Sequence, residues 1–193
     1  MVHEGTVMSG IIRVYKRDDE DVLHFREGWF DEDYSQFVMN YGVVGHQSKT
    51  EETDVPDAAA AEGLMDAFAV QCVEDGYAEL PDEEQFWVVA QFALKTREGT
   101  DRDRYLEEKA KDALISHLAW RGLGTVERSE FTDYKLNIFC LCPEVNKAVN
   151  AIKVCARGED LDFTKLTIGA APFSEPGNFK LKYSAKPGNS FSL

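Results

Sequence analysis

Cysteine and histidine are the side chains here that could do covalent or metal chemistry, and their spacing argues against both. Cys72, Cys140, Cys142 and Cys155 each sit inside an apolar run. A structural zinc site wants four ligands in spacings such as C-x2-C. Cys140-x-Cys142 with a distant Cys155 supplies three, and no histidine lies nearby in sequence. With no export signal the disulfide reading is also disfavoured, so the four read as buried free thiols. The histidines are His3, His24, His46 and His117, with no H-x-x-x-H or H-E-x-x-H pattern among them. His117 falls on an apolar helical stripe and reads as a core histidine. There is no G-x-S-x-G elbow and no P-loop. Gly42-Val43-Val44-Gly45 holds only two glycines and is better explained by sheet geometry. Asp31-x-Asp33 is too short a fragment for a calcium loop. The expectation is therefore no catalytic residue, no metal and no cofactor.

What remains is acid beside aromatics. Asp18, Asp19 and Asp21 form one acidic loop, and Asp31 and Asp33 form another. Trp29, Phe30, Tyr34 and Tyr41 lie close to them in sequence. Two readings stay open. The aromatics are core and the loops merely solvated, or part of the set is exposed. An exposed set of this composition makes a protein interface. The candidate binding residues are thus Asp18, Asp19, Asp21, Trp29, Asp31, Asp33, Tyr34 and Tyr41.

Charge sharpens the second reading. The 193-residue chain carries a formal net charge of −14. Residues 1 to 84 hold 21 acidic and 5 basic residues, a net of −16; residues 85 to 193 hold 14 acidic and 16 basic, a net of +2. The acid belongs to the first half alone. That disfavours nucleic acid as a partner and points to a basic protein, although acid that merely keeps a chain soluble gives the same count. No run approaches the roughly 20 apolar residues of a membrane helix. MVHEGTVMSG lacks the basic and apolar regions of an export signal, so the expected location is cytoplasmic.

The elements that must position these residues read as α+β. Strands are expected over 10–17, 22–30 and 34–44, with a polar edge strand over 46–53. In the third, period-two alternation sets Phe37, Met39 and Tyr41 against Gln36, Val38 and Asn40. Gly42 and Gly45 predict a bulge and a turn. A helix follows, with Asp54 as its expected cap and Pro56 in its first turn. It carries Ala60, Leu64, Phe68 and Cys72 on one stripe and ends at Gly76. Residues 81–85 read as a linker between an acidic unit, 1–80, and a second unit, 86–193. In the second unit, Phe86–Leu94 predicts a buried strand. A helix follows from Asp101 or Asp103 to about Arg121, then two strands at 125–131 and 133–142. A helix from Pro143, a strand at 166–170 and an exposed edge strand at 179–183 complete it. Strand, helix, strand, strand, helix, strand is the split β-α-β, or ferredoxin-like, arrangement. Residues 186–193 read as a loose tail.

The first half resembles the WGR domain. Met39-Asn40-Tyr41-Gly42-Val43-Val44-Gly45 stands where that family has roughly x-x-Trp-Gly-Arg-Ile-Gly, and a helix led by Pro56 runs into Glu74-Asp75-Gly76-Tyr77 as the family's helix runs into a Gly-Tyr pair. The resemblance covers about residues 8 to 80. It implies a small antiparallel sheet with one helix. In the family's poly(ADP-ribose) polymerases the tryptophan and arginine positions touch a DNA end. Here Tyr41 and Val43 occupy them, and valine offers neither a phosphate contact nor a stacking plane. The fold carries over and the DNA role does not. The second half is similar to ferredoxin-like domains, with no family attached.

These readings converge on a non-catalytic protein-binding module, of an inhibitor or immunity type, for a basic partner. Nucleic-acid binding is the alternative, through the WGR-like unit or through Lys95, Arg97, Arg102, Arg104, Lys109 and Lys111 in the second half. A small-ligand or enzyme role in the ferredoxin-like half is the third.

Overall fold

A computed structural model describes residues 10–188 and 190–193; His3 and the rest of the opening segment lie outside them. The fold is α+β, with two antiparallel sheets in two compact units, Met1–Glu79 and Leu80–Leu193.

The first unit is a meander of β1 (Ile12–Arg17), β2 (Leu23–Asp31), β3 (Gln36–Val43) and β4 (Lys49–Asp54), in that spatial order, with α1 (Ala58–Glu74) on one face. The sheet forms because short turns separate runs of period two. Both tight turns are built by aspartates. Asp18 Oδ1 accepts the amides of Glu20 and Val22, and Asp31 Oδ1 accepts those of Asp33 and Tyr34. Such local side-chain bonds are why Asp favours turns. Asp21 and Ser35 take the left-handed conformation that closes each turn. Gly42 shows no bulge: β3 pairs with β2 in continuous register from Gln36 to Val43. Gly45 makes the expected turn, at φ +91°.

The cap of α1 is Asp57, not Asp54. Its side chain accepts the Ala60 amide at 2.8 Å, while Asp54 still belongs to β4. Pro56 therefore precedes the cap instead of filling the first turn. Ala60, Ala61, Leu64, Met65 and Phe68 pack with Phe30, Phe37, Met39 and Val55. Phe68 meets Phe37 edge to face at 5.9 Å. A Cβ on Gly28 would lie 2.8 Å from the Phe68 ring, so the helix sits directly on that glycine.

The opposite sheet face carries a polar row across all four strands: Arg13 opposite Glu27, Glu27 opposite Asn40, Asn40 opposite Thr50. Glu27 is 3% exposed and Asn40 2%. Arg13 donates to Glu27 at 2.5 Å and Thr50 to Asn40 at 2.7 Å.

In the second unit the strands are β5 (Phe86–Ala93), β6 (Thr125–Thr132), β7 (Lys135–Cys142), β8 (Leu166–Pro172) and β9 (Lys180–Ser184), and the helices are α2 (Asp101–Ala119) and α3 (Val145–Gly158). The spatial order β6-β7-β5-β8 is that of the split β-α-β unit, with β9 added beside β8. The cap of α2 is Thr100, whose reciprocal bonds with Asp103 make a capping box. Alternation sends Val88, Ala90, Phe92, Leu136, Ile138 and Cys140 toward the helices, where all are buried. Gly124 is forced: at φ +97° a Cβ would collide with the Leu141 carbonyl oxygen. All four cysteines are free and buried. Burial pushes the Cys140 thiol up to about 12 and the Cys155 thiol up to about 11, which keeps both protonated at neutral pH.

Residues 190–193 do not hang loose. Phe191 packs against the sheet above Gly169, whose missing side chain makes the room.

The buried pair in the first unit yields a prediction. Removing one partner of a buried ion pair strands the other charge and costs about 3–5 kcal/mol, whereas apolar replacement of both is often nearly neutral. Arg13→Met should therefore destabilise the first unit by about 3 kcal/mol in urea unfolding, and adding Glu27→Leu should recover most of that loss. A double variant no more stable than the single one would show that the pair is not the cause.

Candidate functional site

The sequence-predicted residues do not form one surface. Asp18, Asp19 and Asp21 lie in the β1–β2 turn, and Asp31, Asp33 and Tyr34 at the β2–β3 turn. These turns cap opposite ends of β2, nine residues long. At about 3.3 Å per residue the two acidic loops are roughly 25 Å apart. Trp29 and Tyr41 point to opposite faces. Trp29 is one residue from Gly28, which faces α1, whereas Tyr41 pairs with Arg26, two residues from Gly28. Only Tyr34, at 74% exposure, is a large and freely presented aromatic of the set. Several of the acids are also committed internally. Asp18 Oδ2 lies 2.8 Å from His24 Nε2, and that bond holds the Asp18 carboxyl below its usual range.

Tyr41 leads to a different site. It lines a groove of about 250 Å³ between α1 and the β2–β3 pair, with Arg26, Met39, Phe68, Gln71 and Asp75. The floor is apolar, from Met39 and Phe68. Arg26 forms one end. Its guanidinium lies 4.3 Å from the centre of the Tyr77 ring and donates to Asp75 Oδ2 at 2.6 Å. Gln71 donates to the other Asp75 oxygen at 3.0 Å, and Lys16 donates to the Asp75 main-chain carbonyl at 2.8 Å. The arginine lowers the Asp75 pKa, so this carboxylate stays ionised. At the other end the Tyr41 hydroxyl donates to Glu51 of β4 at 2.6 Å, a bond that raises the tyrosine pKa.

The local sequence explains this assembly. Gly76, at φ +82°, ends α1 and turns the chain so that Tyr77 reaches Arg26. Ala78 then pairs with Tyr15 in both directions, at 2.8 and 2.9 Å, and covers the outer edge of β1 at that one residue. At the opposite edge, β4 pairs only with β3 among the described residues, and Glu51, Glu52 and Asp54 are exposed.

Arg26, Met39, Phe68 and Asp75 were not legible as site residues. Each lies on a core-forming pattern, and the register that sets Arg26 opposite Tyr41 cannot be read from one strand alone. The tightly paired Glu74-Asp75-Gly76-Tyr77 helix end was the one available signal.

The basic residues of the second unit are mostly engaged. Arg97 pairs with Asp133 at 2.8 Å and Arg102 with Asp162 at 3.2 Å. Lys109 donates to the Glu159 carbonyl, and Arg104 lies over the Phe131 ring at 5.2 Å. Among the described residues no group of three or more His, Cys, Asp or Glu is placed to hold a metal, and no helix is long and apolar enough to cross a membrane. No family model, curated protein or solved structure matches the chain.

Asp75 gives a pH prediction. Its carboxyl is lowered in the folded state, so its stabilising contribution is present above the unfolded value of roughly 3.9 and is lost as pH falls through the folded one. The side chain is 38% exposed, so solvent screening keeps the contribution small. Between pH 5 and 3 the urea midpoint of Asp75→Asn should fall less steeply than that of the parent. Parallel curves would mean that the Arg26–Asp75 pair adds nothing to stability.

Proposed function

We propose that the chain is a protein-binding module whose first unit receives a basic partner at the Tyr41 groove. The observation that carries this reading is the groove's composition: an apolar floor of Met39 and Phe68, an aromatic wall at Tyr41, the Glu51 carboxylate at one rim, and at the other Asp75 with its charge met by Arg26. A desolvated centre ringed by polar groups is the anatomy of a protein contact, where a few anchors supply most of the energy. A basic partner would be drawn in by the −16 of residues 1–84 and would place an apolar side chain on the floor.

The resemblance to WGR domains supports a small recognition fold of sheet and helix. The departures at Tyr41 and Val43 support a protein ligand over DNA. The tyrosine is bonded to a carboxylate, a group that repels phosphate. In this reading the two acidic turns steer the encounter and the groove holds the partner. An inhibitor or immunity role, acting in the cytoplasm, fits a module of this kind.

The test is affinity capture from the native host with a salt gradient, followed by measured binding of the recovered protein. Tyr41→Ala with Glu51→Lys should weaken that binding roughly thirtyfold, the scale of a central anchor, mainly through faster dissociation. Asp31→Asn with Asp33→Asn should slow association at low salt and change dissociation little. Equal affinity of the groove variant and the parent would move the contact elsewhere, and recovery of nucleic acid alone would overturn the reading.

A further inference from the structure

The face of the second sheet turned away from α2 and α3 holds a slot that the chain itself fills. Trp87 and Phe139 stand on this face, 6.4 Å apart and edge to face. Phe179, just before β9, meets Phe139 at 6.4 Å, and the Phe191 ring lies 5.6 Å from Phe179. Gly169 is the floor of the slot: a Cβ there would fall 2.5 Å from the Phe191 ring carbons. One residue on, the Ser192 carbonyl accepts Gln91 Nε2 at 2.9 Å and Lys135 Nζ at 2.7 Å, and Lys135 also donates to Ser192 Oγ at 2.9 Å. Gln91 is held for this task. It is 7% exposed, its amide also donates to Asn137 Oδ1 at 2.7 Å, and the fully buried Asn137 donates to Thr132 Oγ1 at 3.1 Å.

A ring slot beside a clamp for a main-chain carbonyl recognises a feature common to many peptides: one aromatic side chain followed by a small residue. The segment that fills it is held by its ring and by side-chain bonds to Ser192, and not by a strand ladder. Among the described residues, no main-chain to main-chain hydrogen bond joins residues 190–193 to the sheet. The last such bond before them is from the Ala185 amide to the Leu166 carbonyl. Pro187-Gly188 then intervenes, with Gly188 at φ +79° and open space where a Cβ would be.

We propose that this face is a peptide-docking surface for an extended aromatic–small segment of a partner protein, with Phe191-Ser192 as its displaceable intramolecular plug. The site is independent of the groove in the first unit. A plug on so short a tether has an effective concentration on the order of millimolar. An incoming peptide must exceed that value or add contacts elsewhere, so the plug acts as an affinity threshold.

The experiment uses the full chain and a fluorescein-labelled peptide with the sequence of residues 186–193, followed by anisotropy. The parent should show no binding below about 1 mM, because its own plug competes. Phe191→Ala should empty the slot and bind the peptide at least tenfold more tightly, and a peptide whose phenylalanine is replaced by alanine should fail to bind. Adding Gly169→Ala to the Phe191→Ala chain closes the slot and should abolish binding. Near-UV circular dichroism checks that each variant keeps its packing. A natively packed Phe191→Ala chain that ignores the peptide up to millimolar overturns the proposal. So does binding that survives Gly169→Ala, or a parent that exchanges its plug between copies and sediments as a dimer.

Discussion

A sheet has two faces, and in the second unit the helices cover only one. That constraint governs much of the molecule. β5 lies between β7 and β8, so every residue from Val88 to Phe92 is buried, whichever way its side chain points. Val88, Ala90 and Phe92 are covered by α2 and α3. Val89 and Gln91 need cover from elsewhere, and leaving such a surface wet forgoes about 25 cal/mol per Å² of apolar area. The chain supplies the cover from its own later segments. Phe173 stacks on Trp87 at 5.8 Å, Phe179 meets Phe139, and Phe191 fills the slot over Gly169. From the β6 side Arg128 adds a guanidinium 3.5 Å from the centre of the Phe139 ring. Three of these pieces belong to the strands or to the loop between β8 and β9. Among the described residues, Phe191 alone of these comes from a segment without ladder bonds, so the covering layer has one part that can leave without unpairing a strand.

In the first unit the sheet face away from α1 holds both buried apolar side chains, Leu23, Phe25 and Val38, and a polar row. One face takes α1. The other carries the Arg13–Glu27–Asn40–Thr50 row, which pins register because a slip of one residue would turn each member to the helix side. The row stays off the helix face, and that leaves α1 free to pack through Gly28 and Phe37. The groove follows from this. The Phe68 ring rests on Gly28, while the neighbouring strand positions, Arg26 and Tyr41, carry larger side chains. The C-terminal turn of the helix then bridges to the sheet through Asp75 and Tyr77, and the concavity lies beside that bridge.

Much of the fold was legible because its causes are local. Period-two runs mark the strands, the Ala60–Cys72 stripe marks α1, and Gly45 and Gly76 mark their turns. The strand order of the second sheet followed from element order alone, since the split β-α-β arrangement leaves few alternatives. The errors have local causes too. Asp54 and Asp57 are both competent caps, and only the end of β4 decides between them. At α2 the aspartates compete in the same way: Thr100 is the cap, and Asp103, a competent cap by residue type, completes the capping box. The candidate site was far less legible. Acids close in sequence were assumed close in space, but β2 holds the two loops at opposite ends. Turn-forming aspartates also resemble a binding rim in sequence, although their oxygens serve their own backbone. The slot over Gly169 left one trace, an isolated glycine within a strand, which marks close approach without saying by what.

In the proposed binding role, charge and shape divide the work in the first unit. At a Debye length of about 8 Å, acids in turns roughly 25 Å apart act on a partner one at a time once it is near, yet together at long range in low salt. Such charges raise the encounter rate and contribute little to residence. Residence needs a desolvated anchor, and the groove has the required materials in Met39, Phe68 and Tyr41. Its arginine does not work against a basic partner. The Arg26 charge is met by Asp75 at 2.6 Å, and its face is covered by Tyr77. What the proposed partner would meet around the groove is Glu51 on one side and, on the other, the Arg26–Asp75 pair with Lys16 beside it. In the proposed binding role, that balance would let an acidic unit hold an apolar contact without placing an unpaired charge in its centre.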